Sequence, residues 1–271
     1  MIEQIKGKDV LKAVKKIEDR GAQEMAKRAI PLAGRVFRYA IRKDLIENDP
    51  TPHLSEALKP RKIKNMARLD ISEFPAFLQR MDRYHGNVLV KTALHIMTLT
   101  FVRTAELRMM EWAELDLDGA LWTIPSMKMK RTKLEKEQGE AHTVPLPTQA
   151  IALLRAIHPL TGHGRYVFPG ERSHDRPLSD NSVRSALYSL GFGKEQSWHG
   201  FRASARTMLV DELNIDWQVI EANLAHAKKD ANGTSYNRTK YIAQRFDMIQ
   251  QWADYLDKLA AGADVIQFKA A

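Results

Sequence analysis

The side chains of this sequence best suited to polar chemistry fall in five separated stretches. Arg103 lies in Leu99-Thr100-Phe101-Val102-Arg103-Thr104-Ala105-Glu106-Leu107, and three lysines, Lys128, Lys130 and Lys133, crowd one short segment. His199-Gly200-Phe201-Arg202 forms an H-x-x-R tetrapeptide, His226 closes Leu224-Ala225-His226, and Tyr236 sits in Ser235-Tyr236-Asn237-Arg238. A guanidinium stays ionised and offers a planar fork to phosphate or carboxylate oxygens. Imidazole donates a hydrogen bond or moves a proton near neutral pH. An ammonium can protonate a departing group, and a tyrosine hydroxyl can form a covalent intermediate. Nucleotide-driven and zinc chemistry have no foothold, because the sequence holds no glycine-rich phosphate loop, no H-E-x-x-H and no Cys/His metal pattern. It has no cysteine at all, which removes disulfides and a thiolate nucleophile and fits a reducing cytoplasm.

Singly, each of these residues has an ordinary explanation. An H-x-x-R arises readily by chance in an arginine-rich chain, an arginine opening a helix is usually a surface residue, and a tyrosine after a helix usually packs. Their order is what carries information. Arg, then Lys on a hairpin, then His-x-x-Arg, then a His ten residues before a Tyr resembles the tyrosine recombinase (phage integrase) family, in its genomic-island and prophage branch. The resemblance covers nearly the whole chain. Phe37-Arg38-Tyr39-Ala40 and Glu47-Asn48-Asp49-Pro50 resemble the helical core-binding domain, and Trp252-Ala253-Asp254-Tyr255-Leu256 resembles the C-terminal helix of that branch.

The resemblance implies site-specific recombination, in which DNA is cut and rejoined through a 3′-phosphotyrosyl intermediate with no cofactor, metal or ATP. It makes Tyr236 the nucleophile, Arg103 and Arg202 the clamp on the scissile phosphate, and His199 and His226 further phosphate contacts, with His199 the general base. Lys130 becomes the acid for the leaving 5′ oxygen, with Lys128 and Lys133 as alternatives because the hairpin carries an extra charged stretch, Leu134 to Ala141. Glu106 is expected to orient Arg103. Tyr241 rivals Tyr236 but leads into Ile242 and Phe246 at helical spacing, so it reads as packing. A non-catalytic DNA-binding relative and a type IB topoisomerase-like relaxing enzyme are the competing readings. Retention of all the polar positions speaks against the first, and the core-binding resemblance against the second.

These residues must be positioned by a mainly α chain with one small antiparallel β-sheet. Apolar residues recur at helical spacing from Asp9 to Ile46, broken at Gly21 and ended by Asn48-Asp49-Pro50, which predicts at least two helices. Helices are further expected over Ser72–Arg83, Asn87–Thr100, Thr104–Trp112 with a threonine cap, Gln149–Ile157, Asn181–Leu190, Gly200–Leu213 and Tyr241–Ala260. Ala120–Pro125, after the Asp118-Gly119 turn, and His142–Leu146 read as strands joined by a charged hairpin tip, Lys128–Glu140. The resulting division is a helical core-binding domain at 1–58, a basic linker at 59–68 and a catalytic domain with its C-terminal helix and tail at 69–271.

Lys plus Arg exceed Asp plus Glu by 42 to 33, a net +9 that points to an anionic partner such as nucleic acid. The linker concentrates this charge with five cations and no anion. Lys59, Arg61, Lys62 and Lys64 are expected to contact DNA there, with Arg38, Lys128 and Lys133 elsewhere, since phosphate neutralisation needs charge without fixed geometry. No apolar run is long enough to span a bilayer and the N-terminus lacks a signal-peptide core, so a cytoplasmic location is expected, without membrane attachment. The expected partners are double-stranded DNA at attachment core sites, three further copies in a tetramer on DNA formed from a monomer in solution, and DNA-bending and directionality factors. No separate arm-site domain or first core-binding helix is visible before Met1-Ile2-Glu3-Gln4, which the resemblance implies weakens core-site binding and alters regulated integration. The apolar tail Ala263–Phe268 is expected to dock on a neighbouring subunit.

Overall fold

The computed structural model describes residues 1–60, 67–225 and 241–262, and divides the chain into two compact units, Met1–Asn65 and Met66–Ala271. In the first, α1 (Gly7–Asp19) and α2 (Gln23–Ile41) form a hairpin turned at Gly21, whose φ of 81° suits glycine. Val10 and Val14 of α1 bury against Ala26, Ile30 and Phe37 of α2, and Leu58 closes this small core. The carboxylate of Glu18, itself buried, accepts a hydrogen bond from the Lys59 backbone at 2.8 Å and so fastens the departing chain to α1.

Helix α2 stops earlier than its apolar spacing suggests. Asp44 turns left-handed (φ 54°) and the Leu45 amide folds back on the Ala40 carbonyl at 3.0 Å, a helix-ending bond that leaves Leu45 and Ile46 outside the helix. The Glu47-Asn48-Asp49-Pro50 segment then docks on α2, with Asp49 accepting from Arg38 at 3.1 Å and from the Thr51 amide and hydroxyl at 2.9 and 2.6 Å.

The second unit is built on α4 (Val88–Thr100), which Asn87 caps by accepting from the Leu89 amide at 2.8 Å. Most of α4 is buried, since α3 (Phe74–Asp82), α7 (Thr148–Thr161), α8 (Asp180–Ser189), α9 (Trp198–Asp211) and α11 (Ile242–Ala260) all pack on it. A helix surrounded in this way needs apolar residues on every face, and its sequence supplies them. Trp252 of α11 lies at the centre, fully buried, edge-on to Phe74 and Phe101 and donating from its indole to the Thr98 carbonyl at 2.9 Å.

The sheet has three strands in the order β1 (Leu115–Asp116), β2 (Leu121–Ile124), β3 (His142–Pro145), all antiparallel. Trp122 pairs with Val144 and Ile124 with His142, which places Trp122, Ile124 and Val144 in the core. Four further elements differ from the sequence expectation. The helix after Arg103 is a single short turn, α5 (Thr104–Arg108), opened by Arg103 rather than by Thr104. The hairpin tip contains a helix, α6 (Lys133–Gln138), because the Thr132 hydroxyl accepts from the Glu135 amide while Glu135 caps Thr132 in return. Two-residue β1 and seven-residue α10 (Trp217–Asn223) are too short for periodicity to reveal.

Candidate active site

Arg103 stands where α4 ends. Phe101 takes a left-handed conformation (φ 40°), turning the chain so that Arg103 opens α5. The carboxylate of Glu106, 3% exposed, accepts from the Arg103 guanidinium at 2.8 Å and from its backbone amide at 2.9 Å. One buried anion thus caps the helix and aims the arginine.

Arg202 approaches the same place from the middle of α9 and is 5% exposed. Its Nη1 donates to the Phe101 carbonyl at 2.8 Å and its Nη2 to the Leu224 carbonyl at 2.8 Å. The next carbonyl, that of Ala225, receives Arg103 Nη2 at 3.5 Å. The two guanidiniums therefore meet at the end of α10, on consecutive carbonyls that Ala225 presents by its own left-handed turn (φ 50°). Burial, followed by the charge of Arg103, lowers the pKa of Arg202 to about 10, against the opposing pull of Glu106 and Glu221. It is still a cation at neutral pH. Two cations held together in a partly dry site favour an anion beside them.

His199 lies three residues before Arg202 in the first turn of α9, so both project from one helix face, His199 toward solvent. Ser197 caps this helix, accepting from the Gly200 amide at 3.0 Å and donating to the Ala67 carbonyl at 2.9 Å. The glycine inside His-Gly-Phe-Arg has a steric reason, because a Cβ there would stand 2.4 Å from the Ala67 carbonyl oxygen.

The three hairpin lysines have different surroundings. Lys128, expected at the DNA surface, instead turns inward, where its ammonium pairs with Glu111 at 2.6 Å and with Glu114 and donates to the Met109 carbonyl at 2.6 Å. Arg165 completes the cluster at 3.0 Å from Glu111, and its hydrogen bond is the main cause that holds the Glu111 carboxyl below its ordinary pKa. Met129 is buried and Lys130, next along the alternation, is exposed, with no hydrogen bond or ion pair among the described residues. Lys133 is almost fully solvated on α6, 4.0 Å from Glu137. Arg38 is engaged by Asp49 in the first unit, and the Lys59 side chain is exposed. His226, Tyr236, Arg61, Lys62 and Lys64 lie outside the described residues. Tyr241 packs against the core, and its hydroxyl donates to Gln218 Oε1 at 2.5 Å.

Sequence reasoning missed Asn223 and Arg245, which lie behind the arginine pair and are buried. A signal for Arg245 was present: it shares the spacing of Met248, Ile249 and Trp252, so a cation stands in the apolar stripe of α11.

Residues 67–241 match the phage integrase family, and residues 1–57 match the phage integrase central domain. The integrase of Enterobacteria phage P4 is 33% identical over 264 residues, 94% of this chain and 60% of its own length. Prophage integrase IntZ of Escherichia coli (strain K12) is 36% identical over 260 residues, 95% of this chain and 61% of its own. The chain thus spans about 60% of the length of these relatives. Among solved structures, a lambda integrase (75-356) dimer bound to a COC' core site superposes with a TM-score of 0.61 at 20% identity, covering 83% of this chain and 80% of that one. The Tn1549 transposon integrase in complex with circular intermediate DNA gives 0.63 at 12% identity, covering 92% and 86%. A lambda integrase tetramer bound to a Holliday junction gives 0.60 at 18% identity, covering 88% and 66%. At these identities the structures establish the fold.

Proposed function

This chain belongs to the phage integrase family, and from that premise we propose that it is a tyrosine site-specific recombinase acting on double-stranded DNA for integration or excision of a mobile element. The Tyr236 hydroxyl attacks the scissile phosphorus and gives its proton to His199, while the bond to the 5′ oxygen breaks and that oxygen takes a proton from Lys130. Arg103 and Arg202 meet the charge on the non-bridging oxygens, His226 donates a further hydrogen bond, and Glu106 keeps Arg103 in place. Attack by the 5′ hydroxyl of a partner strand on the phosphotyrosine then restores a phosphodiester and the free phenol. The bond energy is conserved throughout, so the exchange needs neither ATP nor a ligase.

The observation that carries this reading is the meeting of Arg103 and Arg202 at the carbonyls of Leu224 and Ala225, immediately before His226. Lys130 is favoured over Lys128 as the acid because two carboxylates already hold the Lys128 ammonium. In this account residues 1–58 and 69–271 are the core-binding and catalytic domains, and the basic linker, with Lys59, Arg61, Lys62 and Lys64, contacts the DNA backbone along with Arg38 and Lys133. Four protomers act together on paired core sites, with bending and directionality factors assisting, in the compartment that holds the chromosome.

The test is a core-site duplex nicked near the cleavage position, so that the 5′ product diffuses away and the covalent adduct accumulates. The chain should give a protein–DNA band on a denaturing gel. Tyr236→Phe should lose that band and keep duplex binding; an adduct that survives this change defeats the assignment. A two-site recombination assay beside plasmid relaxation separates recombinase from relaxing enzyme.

A further inference from the structure

Arg245 is a second buried arginine, and it stands at a junction. It lies in the first turn of α11, is fully buried, and has no carboxylate partner among the described residues. Its Nε and Nη2 donate to Asn223 Oδ1 at 3.2 and 3.1 Å, and Nη2 also donates to the Thr143 carbonyl. Asn223 ends α10, and His142 Nε2 sits 3.1 Å from its backbone carbonyl. The two carbonyls that follow Asn223 are the ones to which Arg202 and Arg103 donate. His142 and Thr143 belong to β3, the strand that returns from the lysine hairpin.

Placing a lone cation in this interior costs stability, and burial pulls its pKa down to about 10. Its helix does not require it, since Met248, Ile249 and Trp252 already bury the same face. What the guanidinium alone supplies is a planar fork that joins a side-chain oxygen of α10 to a backbone oxygen of β3.

We infer that Arg245 is a positioning residue for strand cleavage: through Asn223 it sets the carbonyls that aim Arg202 and Arg103, and through Thr143 it ties the lysine hairpin to the same point. The inference rests on the proposed recombinase reading, and it extends the site to a residue that does not touch DNA. Misplacing a reacting group by about an ångström is enough to slow a step roughly 100-fold.

The experiment compares the wild-type chain with Arg245→Lys, Arg245→Met and Asn223→Ala on the nicked core-site duplex. Each variant should bind the duplex as the wild type does and form the covalent adduct roughly 10- to 100-fold more slowly. The discriminating readout uses a neutral methylphosphonate at the scissile position. It lacks one of the charged oxygens that the arginines meet, so the variants' deficit relative to wild type should shrink on it. A loss of folded protein would slow both substrates alike. If Arg245→Met does not fold, Arg245→Lys, which keeps the charge, and Asn223→Ala, which removes the side-chain amide to which Arg245 donates, decide the matter. Variants that cleave at the wild-type rate, or that are equally slow on both substrates, overturn the inference. A wild-type chain that yields no adduct overturns instead the recombinase reading beneath it.

Discussion

Lys128 and Lys130 stand two residues apart in one hairpin, and replacing each with methionine should produce opposite defects. The Lys128 side chain is 15% exposed, and those of its partners Glu111 and Glu114 are 16% and 7% exposed. Removing the cation leaves two carboxylates facing each other in a partly dry site, a loss of about 3 kcal/mol for a broken buried pair. For a unit of this size that lowers the melting temperature by roughly 6–12 °C. Protein that remains folded should still cleave. Lys130 is solvated and holds no partner among the described residues, so Lys130→Met should melt as the wild type does and lose roughly 10²–10⁴-fold in adduct formation, the usual contribution of a general acid. A DNA substrate with sulfur in place of the bridging 5′ oxygen sharpens the contrast. A thiolate leaves unaided, since a thiol is far more acidic than the 5′ alcohol it replaces. On that substrate the Lys130→Met deficit should largely vanish. Calorimetry and the nicked-duplex gel, run on both variants and both substrates, give the answer. A stable but slow Lys128→Met, or a Lys130→Met that cleaves normally, would refute the assignment of roles.

Glu106→Gln keeps the shape but turns an amide group toward one of two donors that the carboxylate now satisfies; stability should fall by about 2 kcal/mol in urea unfolding, with adduct formation roughly 10- to 100-fold slower. Gly200→Ala must displace the Ala67 carbonyl, which as backbone yields only at a cost, and should destabilise by about 1–3 kcal/mol in the same measurement. Burial of Arg202 makes stability depend on alkaline pH. Its folded pKa of about 10 lies below the ordinary guanidinium value, so the unfolded chain keeps the proton longer and the cost of burying the cation fades as pH rises through about 10. Wild type should therefore gain about 1 kcal/mol relative to Arg202→Met between pH 9 and pH 11, and parallel unfolding curves over that range would contradict this account.

The helices of both units were legible because each buries one stripe or all of its surface, and burial of that kind leaves a period in the sequence. Gly21, Asn87 and the Asp118-Gly119 turn could be read locally for the same reason, as each acts through its own backbone or its nearest neighbours. The early stop of α2 was not legible, since Leu45 and Ile46 keep the helical spacing while a left-handed Asp44 ends the helix. Nor was α6, whose six residues are held by Thr132 and Glu135 rather than by an apolar face.

The candidate site divides along the same line. Residue order, through the family it resembles, proposed Arg103, Lys130, His199, Arg202, His226 and Tyr236 as the candidate site. Which lysine of the hairpin faces inward, why the residue after His199 is glycine, and that Arg245 joins the Asn223 side chain to the Thr143 carbonyl behind the arginine pair were decided only in three dimensions. Those contacts join positions as far apart as Thr143 and Arg245, or Ala67 and Gly200, and a hydrogen bond between distant segments imposes no spacing on the chain that makes it.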